Sequence, residues 1–375
     1  MEKRTWKVLD LSLEDKQLED ELPKDIIVSK DDEELLKFLE QTKPKIYVVG
    51  TGGSGCNTLT RMYQMAIEGV QLIAMNTDVR HLVKMRATKK ILLGKNTTKG
   101  MGAGSNPQAG EAAAKETSAE IKETIKDASM VFITCGLGGG TGTGSAHIIA
   151  EQAKAQGALT IAVVTLPFLS EGQVRMKNAL EGLEKLRRQA DTVIVIPNDK
   201  LLTIAPDLPL NTAFKVCDEV LAGAVKSIAE LVTRAGLVNL DFADLRTILT
   251  SAGCAVVGVG EASLDAKPES RALIAIEMAL NSPLLDADIS SASRALVNVT
   301  GGEDMTLKEA EFIVSEVSKR IEPGAHIIWG ARVEKTSKKC SLRALVVIAG
   351  GKFPQYEIGK NAMLGMEQLD LDIIS

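Results

Sequence analysis

The chain is poor in metal-binding residues. Its 375 residues include only three histidines (His81, His147, His326), far apart in sequence. Its five cysteines (Cys56, Cys135, Cys217, Cys254, Cys340) form no Cys-x-x-Cys pair. Neither set has the spacing of zinc ligands, so no side-chain metal centre is expected, and the cysteines read as reduced thiols that pack like small apolar groups. No run of 18 apolar residues occurs, and residues 1–6 lead into no apolar signal core. A cytoplasmic chain without direct membrane insertion is the expectation. A dominant charge is missing too: 44 basic and 49 acidic residues leave a net charge of -5. Without a basic patch, no nucleic-acid partner is expected. No internal repeat or low-complexity segment is found.

What is present is ordinary globular composition, 45% apolar and 25% charged, at a length that suggests two domains. Residues 1–43 hold 21 charges and few apolar runs, which reads as a charged N-terminal extension with one short helix. Asp31 would cap that helix and Pro44 would stop it. From residue 45, short β-branched runs (45–50, 71–76, 90–94, 130–135, 159–166, 192–197) alternate with helical stretches (55–68, 107–126, 146–156, 171–188). That alternation predicts an α/β domain over 44–209, a doubly wound and mostly parallel sheet with ligands at the carboxyl ends of its strands. A central linking helix is expected over 210–235. A smaller α/β domain with a mixed sheet follows over 236–350, its last two strands, 326–333 and 342–349, forming a hairpin. Residues 351–375 make a short tail.

The sharpest local signal is Gly138-Gly139-Gly140-Thr141-Gly142-Thr143-Gly144, between a predicted strand and a predicted helix. Glycines there admit positive φ and close approach of a ligand. A helix N-terminus offers free N–H groups and about half a positive charge, which suits phosphate. The two threonine hydroxyls add donors. The loop has no lysine, so it is not a Walker A loop, and amides with Mg²⁺ must balance a triphosphate. A second glycine-rich junction, Gly50-Thr51-Gly52-Gly53-Ser54-Gly55-Cys56-Asn57, has dinucleotide-fingerprint spacing, with Glu68 or Asp78 as the acidic residue that fingerprint needs. A third, Gly100-Met101-Gly102-Ala103-Gly104-Ser105-Asn106, precedes another helix. Three such junctions in one sheet favour a single large phosphate-bearing ligand.

The 138–144 loop resembles the signature of the tubulin/FtsZ family, and motif order and spacing from about 45 to 350 resemble its FtsZ branch. The charged extension and short tail are closest to the archaeal form. The resemblance implies a GTPase of cell division that binds GTP or GDP and forms head-to-tail protofilaments with itself. It implies that Gly52, Gly53, Ser54, Gly55, Cys56 and Asn57, with Gly138, Gly139, Gly140, Thr141, Gly142, Thr143 and Gly144, hold the phosphates. Gly102, Ala103 and Gly104 would lie near the γ-phosphate, and Asn76 and Asp78 in another nucleotide-side loop. Glu171 and Arg175 would contact ribose and phosphate; without the resemblance they read as an i,i+4 surface pair. Phe214 and Asp218, four apart on the long helix, would stack on guanine and accept from its N1–H and exocyclic amine, with Asn198 at the base edge. Adenine would leave that carboxylate facing a lone pair, at a cost of about 2 kcal/mol or more.

No phosphate-loop side chain can orient an attacking water. Asn239, Asp241 and Asp244 resemble the family's catalytic loop, which serves the nucleotide of the next subunit. Locally the two acids are also ordinary helix-start chemistry. Three departures from the family stand out: His147 after the signature loop, Ser54 and Cys56 within the first loop, and a C-terminus (369–375) only loosely like the peptide that binds membrane adaptors in bacterial members. A membrane-anchoring division adaptor is thus a candidate partner resting on that loose likeness. Two competing functions remain, a nicotinamide- or flavin-dependent oxidoreductase using the 50–55 loop, and a relative that polymerises without hydrolysing GTP.

Overall fold

A computed structural model describes residues 44–67, 69–200, 210–233, 238, 241–262, 268–285, 287–333 and 342–351. Strands β1 (Ile46–Thr51), β2 (Val70–Asn76), β3 (Lys89–Leu92), β4 (Met130–Gly136), β5 (Leu159–Leu166) and β6 (Thr192–Pro197) are all parallel, in the order β3-β2-β1-β4-β5-β6. Strands β1, β4 and β5 are apolar and buried on both faces, as strands covered by helices on either side must be. The covering helices are α1 (Gly52–Gln64), α2 (Val79–Lys84), α3 (Pro107–Glu116), α4 (Ser118–Thr124), α5 (Thr141–Ala155) and α6 (Gln173–Gln189). The strand order reverses between β1 and β4, and a crevice opens at the carboxyl ends of strands at such a point.

Helix α7 (Leu210–Thr233) is 24 residues long, about 36 Å at 1.5 Å per residue. After it come α8 (Phe242–Leu249), β7 (Gly253–Ala262), α9 (Pro268–Leu280), β8 (Arg294–Gly301), α10 (Leu307–Ser318), β9 (His326–Val333) and β10 (Leu342–Ala349). The sheet continues as β6-β7-β10-β8-β9, with β7 joined to β6 over three residue pairs only. Strand β10 is antiparallel to both its neighbours, and β9 is parallel to β8. No helix among the described residues is long and apolar enough to cross a membrane.

Two expectations are corrected. The last two strands do not form a hairpin, because β10 lies between β7 and β8 while β9 takes the sheet edge. Burial explains the choice: seven of the eight β10 residues are buried, whereas β9 starts with exposed His326 and is half-buried at several positions. The more apolar strand takes the central place. The helix expected over 107–126 is broken at Thr117, whose hydroxyl donates to the Ala113 carbonyl and accepts from the Gly94 N–H.

Candidate functional site

The glycine-rich segments run into the first turns of helices: residues 52–55 open α1 directly after β1, whereas residues 138–140 form a turn that leads into α5. Helix α1 begins at Gly52 and α5 at Thr141, so their free N–H groups fall on these residues. The two turns meet. A side chain on Gly52, whose φ is +74°, would start 2.9 Å from the Gly142 nitrogen. Gly138, at φ +99°, backs onto Arg175, with a hypothetical Cβ 2.8 Å from Arg175 Cγ. Gly55, Gly140 and Gly144 are glycine for packing: a Cβ on each would lie 2.2 Å from the Thr134 carbonyl oxygen, 2.8 Å from Ala103 Cβ and 2.2 Å from the Pro107 carbonyl oxygen, respectively. Gly53 and Gly139 differ from these, because a Cβ there meets nothing within 4 Å. Packing does not require glycine at either position.

A cleft of ≈ 320 Å³ opens between these turns, lined by Gly53, Ser54 and Asn57 of α1 and by Gly136 and Leu137 at the end of β4. Thr165 at the end of β5, Pro167 just after it, Asn198 after β6, Glu171 and Arg175 complete it with Asp218 of α7. Among these lining residues Arg175 is the one cation, and it is paired with Glu171 at 3.0 Å. Glu171 in turn accepts from the Phe168 N–H at 2.9 Å, which fixes the chain's turn after β5. Asn198 is 7% exposed and its Oδ1 has no hydrogen-bond partner, an acceptor held at the wall of the cleft. Burial pushes the Asp218 carboxyl up to about 6, against a lowering hydrogen bond from Thr58 Oγ1 at 3.0 Å.

The remaining predicted residues fall into distinct groups. Cys56 of α1 is fully buried, its Sγ directed at the Gly50 and Met75 carbonyls and its thiol pushed up to about 12 by burial, and it does not line the cleft. Thr141 and Thr143 also hold the turn together: Thr141 Oγ1 bonds Thr77 Oγ1 at 2.6 Å, and Thr143 Oγ1 accepts from the Gly138 N–H at 2.9 Å, which leaves the Thr143 hydroxyl proton able to donate. Asn76 accepts from the Asp78 N–H, and Asp78 caps α2, so both shape the chain after β2 and neither lines the cleft. Gly102 donates to the Thr77 carbonyl and Ala103 packs on Gly140, so the third junction adjoins the turn that enters α5, while Gly102, Ala103 and Gly104 do not line the cleft. Phe214 lies on α7, but its side chain is outside the described residues, as are Asn239 and Glu68.

Asp241 and Asp244 are exposed and lie elsewhere. Asp241 caps α8, accepting from the Ala243 N–H at 3.4 Å, and Asp244 sits in its first turn. Helix α8 is tied to the opposite end of the sheet. Arg246 donates to the Gly157 carbonyl just before β5, Thr192 at the start of β6 donates to the Leu249 carbonyl, and Arg294 at the start of β8 donates to the Ile248 and Thr250 carbonyls. The eight residues of β5 separate that end from the cleft, a distance on the order of 20 Å at ~3.3 Å per residue. No group of three or more metal-ligating side chains occurs among the described residues.

Sequence reasoning missed Thr58, Gly136, Leu137, Thr165 and Pro167. The last four were accessible through the rule that ligands sit at the carboxyl ends of parallel strands. Nothing in the sequence pairs Thr58 with Asp218.

Residues 45–206 match the family model for the GTPase domain of the tubulin/FtsZ family, and residues 253–352 match that for the FtsZ family C-terminal domain. Cell division protein FtsZ 1 of Methanocaldococcus jannaschii is 55% identical over 323 residues, 86% of this chain and 87% of that protein. The FtsZ 1 protein of Thermococcus kodakarensis is 56% identical over 86% of this chain and 85% of its own. A solved empty FtsZ dimer from M. jannaschii superimposes with a TM-score of 0.80 at 55% identity, covering 86% of this chain and 92% of that one. CetZ2 of Haloferax volcanii, solved as a GTPγS-bound protofilament, shares the fold at a TM-score of 0.71 and 22% identity, over 88% of this chain and 98% of its own. The oxidoreductase alternative falls with these matches, and the chain belongs to the tubulin/FtsZ family of GTPases.

Proposed function

We propose that this GTPase builds head-to-tail filaments for cell division and completes its hydrolytic site only at the contact between two subunits. The observation that carries this reading is the separation of the site's halves. The cleft lies at one end of the parallel strands and the exposed Asp241 and Asp244 lie at the other, on the order of 20 Å away. One subunit cannot bring them together, whereas stacking in a line apposes the α8 end of one subunit to the cleft of the next. Such a contact is heterologous and does not close, so it propagates.

The rim of the cleft supports the reading. Leu169 and Val174, next to the cleft-lining Glu171 and Arg175, are apolar yet 68% and 77% exposed, side chains that a neighbouring subunit would cover. The M. jannaschii relative has been solved as a dimer.

In this reading the phosphates lie on the free N–H groups of α1 and α5, over the open positions at Gly53 and Gly139. The base sits against α7, where anionic Asp218 accepts from guanine and Asn198 Oδ1 accepts an exocyclic N–H. The residues present fit a Mg²⁺ carried chiefly by phosphate and water, since among the described residues only Glu171 and Asp218 bring carboxylates to the cleft. That ion would neutralise charge developing on the phosphates. Asp241 and Asp244 of the neighbouring subunit orient and polarise the attacking water, work of the kind that contributes about 10²–10⁴-fold. The protein would act in the cytoplasm at the division site, and the 369–375 segment, outside the described residues, is where an adaptor would be sought.

Complementation tests the shared site. Asp244→Ala keeps an intact cleft, and Gly139→Asp keeps intact acids but repels phosphate. Each alone should be inactive, and their mixture should regain turnover as the two sediment together. Co-sedimentation without recovered turnover would refute the shared site.

A further inference from the structure

Helix α1 touches both ends of the cleft. Its first two turns supply Gly53, Ser54 and Asn57 to the phosphate side, and the next residue, Thr58, reaches the base side through Asp218 of α7. Three residues on, Arg61 is ion-paired with Glu219, so the two helices are latched at adjacent positions. Thr58 is fully buried, and its hydroxyl has one proton and two acceptors in reach: Asp218 Oδ1 at 3.0 Å and the Ser54 carbonyl at 3.1 Å. A threonine within a helix ordinarily bonds back to the carbonyl four residues earlier. Here a carboxylate competes for that proton, and a charged acceptor makes the stronger bond.

We propose that Thr58 is a positioning residue for base recognition, its hydroxyl orienting Asp218 and holding it in the anionic form that accepts from guanine. This rests on the reading of Asp218 as the base-recognising group. The other charged groups nearby leave the task to Thr58. Arg61 is engaged by Glu219, Arg175 by Glu171, and Lys215 is exposed on α7. Burial works against the anion, and Asn198 presents a second acceptor at the cleft wall, not a counter-charge. When Asp218 takes up a proton, the Thr58 hydroxyl can turn to the Ser54 carbonyl. Loss of the anion therefore leaves the Thr58 hydroxyl paired.

The test is GDP affinity of the full chain between about pH 6 and 8.5, below the assembly concentration, for wild type, Thr58→Val, Thr58→Ser and Asp218→Asn. Valine keeps the branched shape and removes the donor. Losing a charge-assisted hydrogen bond should move the Asp218 midpoint up by about one pH unit. The wild-type to Thr58→Val affinity ratio should then be about fivefold near pH 6, about twofold near pH 7 and close to one above about pH 8. Taking the ratio cancels titration of the nucleotide's own phosphate, and Thr58→Ser should restore the wild-type profile. A flat ratio at every pH, whether one or larger, would overturn the proposal, the larger value marking a merely structural role. Asp218→Asn separates the two levels of inference. If it erases the preference for GDP over ADP while the Thr58→Val ratio is flat, only the Thr58 role fails. If it leaves that preference intact, the base reading fails and the Thr58 proposal with it.

Discussion

Two glycines in equivalent places, Gly53 in the first turn of α1 and Gly144 in the first turn of α5, should respond oppositely to the same substitution. Replacing a helical glycine with alanine gains ~1 kcal/mol of helix propensity at either position. At Gly53 the new methyl meets nothing within 4 Å, so Gly53→Ala should hold or raise the stability of the nucleotide-free protein by up to ~1 kcal/mol. At Gly144 it would lie 2.2 Å from the Pro107 carbonyl oxygen and 2.5 Å from the Glu111 nitrogen. Both are backbone atoms, so α3 and α5 must move apart by about an ångström, and overpacking of that kind costs ~1–3 kcal/mol or more. Gly144→Ala should therefore be net destabilising. Binding should follow the reverse order. The open space at Gly53 is where a phosphate approaches the amides, so Gly53→Ala should weaken GTP binding by at least about tenfold, or ~1.4 kcal/mol. Thermal unfolding without nucleotide and a GTP titration separate the two effects. A Gly53→Ala protein that binds GTP normally would refute the assignment of the phosphate site. A Gly144→Ala protein as stable as wild type would refute the packing argument.

Further predictions concern the acids. Asp241→Ala and Asp244→Ala should each keep wild-type GTP affinity and lose about 10²-fold or more in turnover, read by equilibrium binding and phosphate release. GDP affinity should fall as pH drops through about 6, where Asp218 takes up a proton, and this component should be missing in Asp218→Asn. The stability sign is opposite. Because the folded-state value lies above the ordinary carboxylate value of 3.8, the nucleotide-free fold prefers the protonated acid, and stability from this group declines as pH rises from about 4 to about 6. Asp218→Asn should accordingly be more stable than wild type at neutral pH in denaturant titrations, with the difference closing below about pH 4.

The parallel sheet was legible because β4 and β5 are mostly apolar runs between helical stretches, and the phosphate site because glycines crowd the junctions that follow β1 and β4. Helix starts were misjudged there: glycine reads as a helix breaker, yet α1 and α5 begin at Gly52 and Thr141. Helix α2 is six residues long, too short for a period to register. The place of β10 could not be read from its following β9 in sequence, since consecutive strands usually lie side by side; burial against β7 and β8 decided it. The roles within the glycine-rich segment also needed three dimensions. Gly144 and Gly139 look alike in sequence, but one abuts the chain entering α3 and the other faces open space. Thr58 and Asp218 are 160 residues apart, and only the packing of α1 on α7 brings them together.

The most direct test of the shared site is GTP turnover measured against protein concentration, with light scattering followed in the same sample. A site split between the cleft of one subunit and the α8 acids of the next predicts negligible turnover per subunit at low concentration, rising above a critical concentration together with scattering. Turnover per subunit that is constant across that range, with no assembly, would contradict it and make this chain a GTPase complete within one subunit.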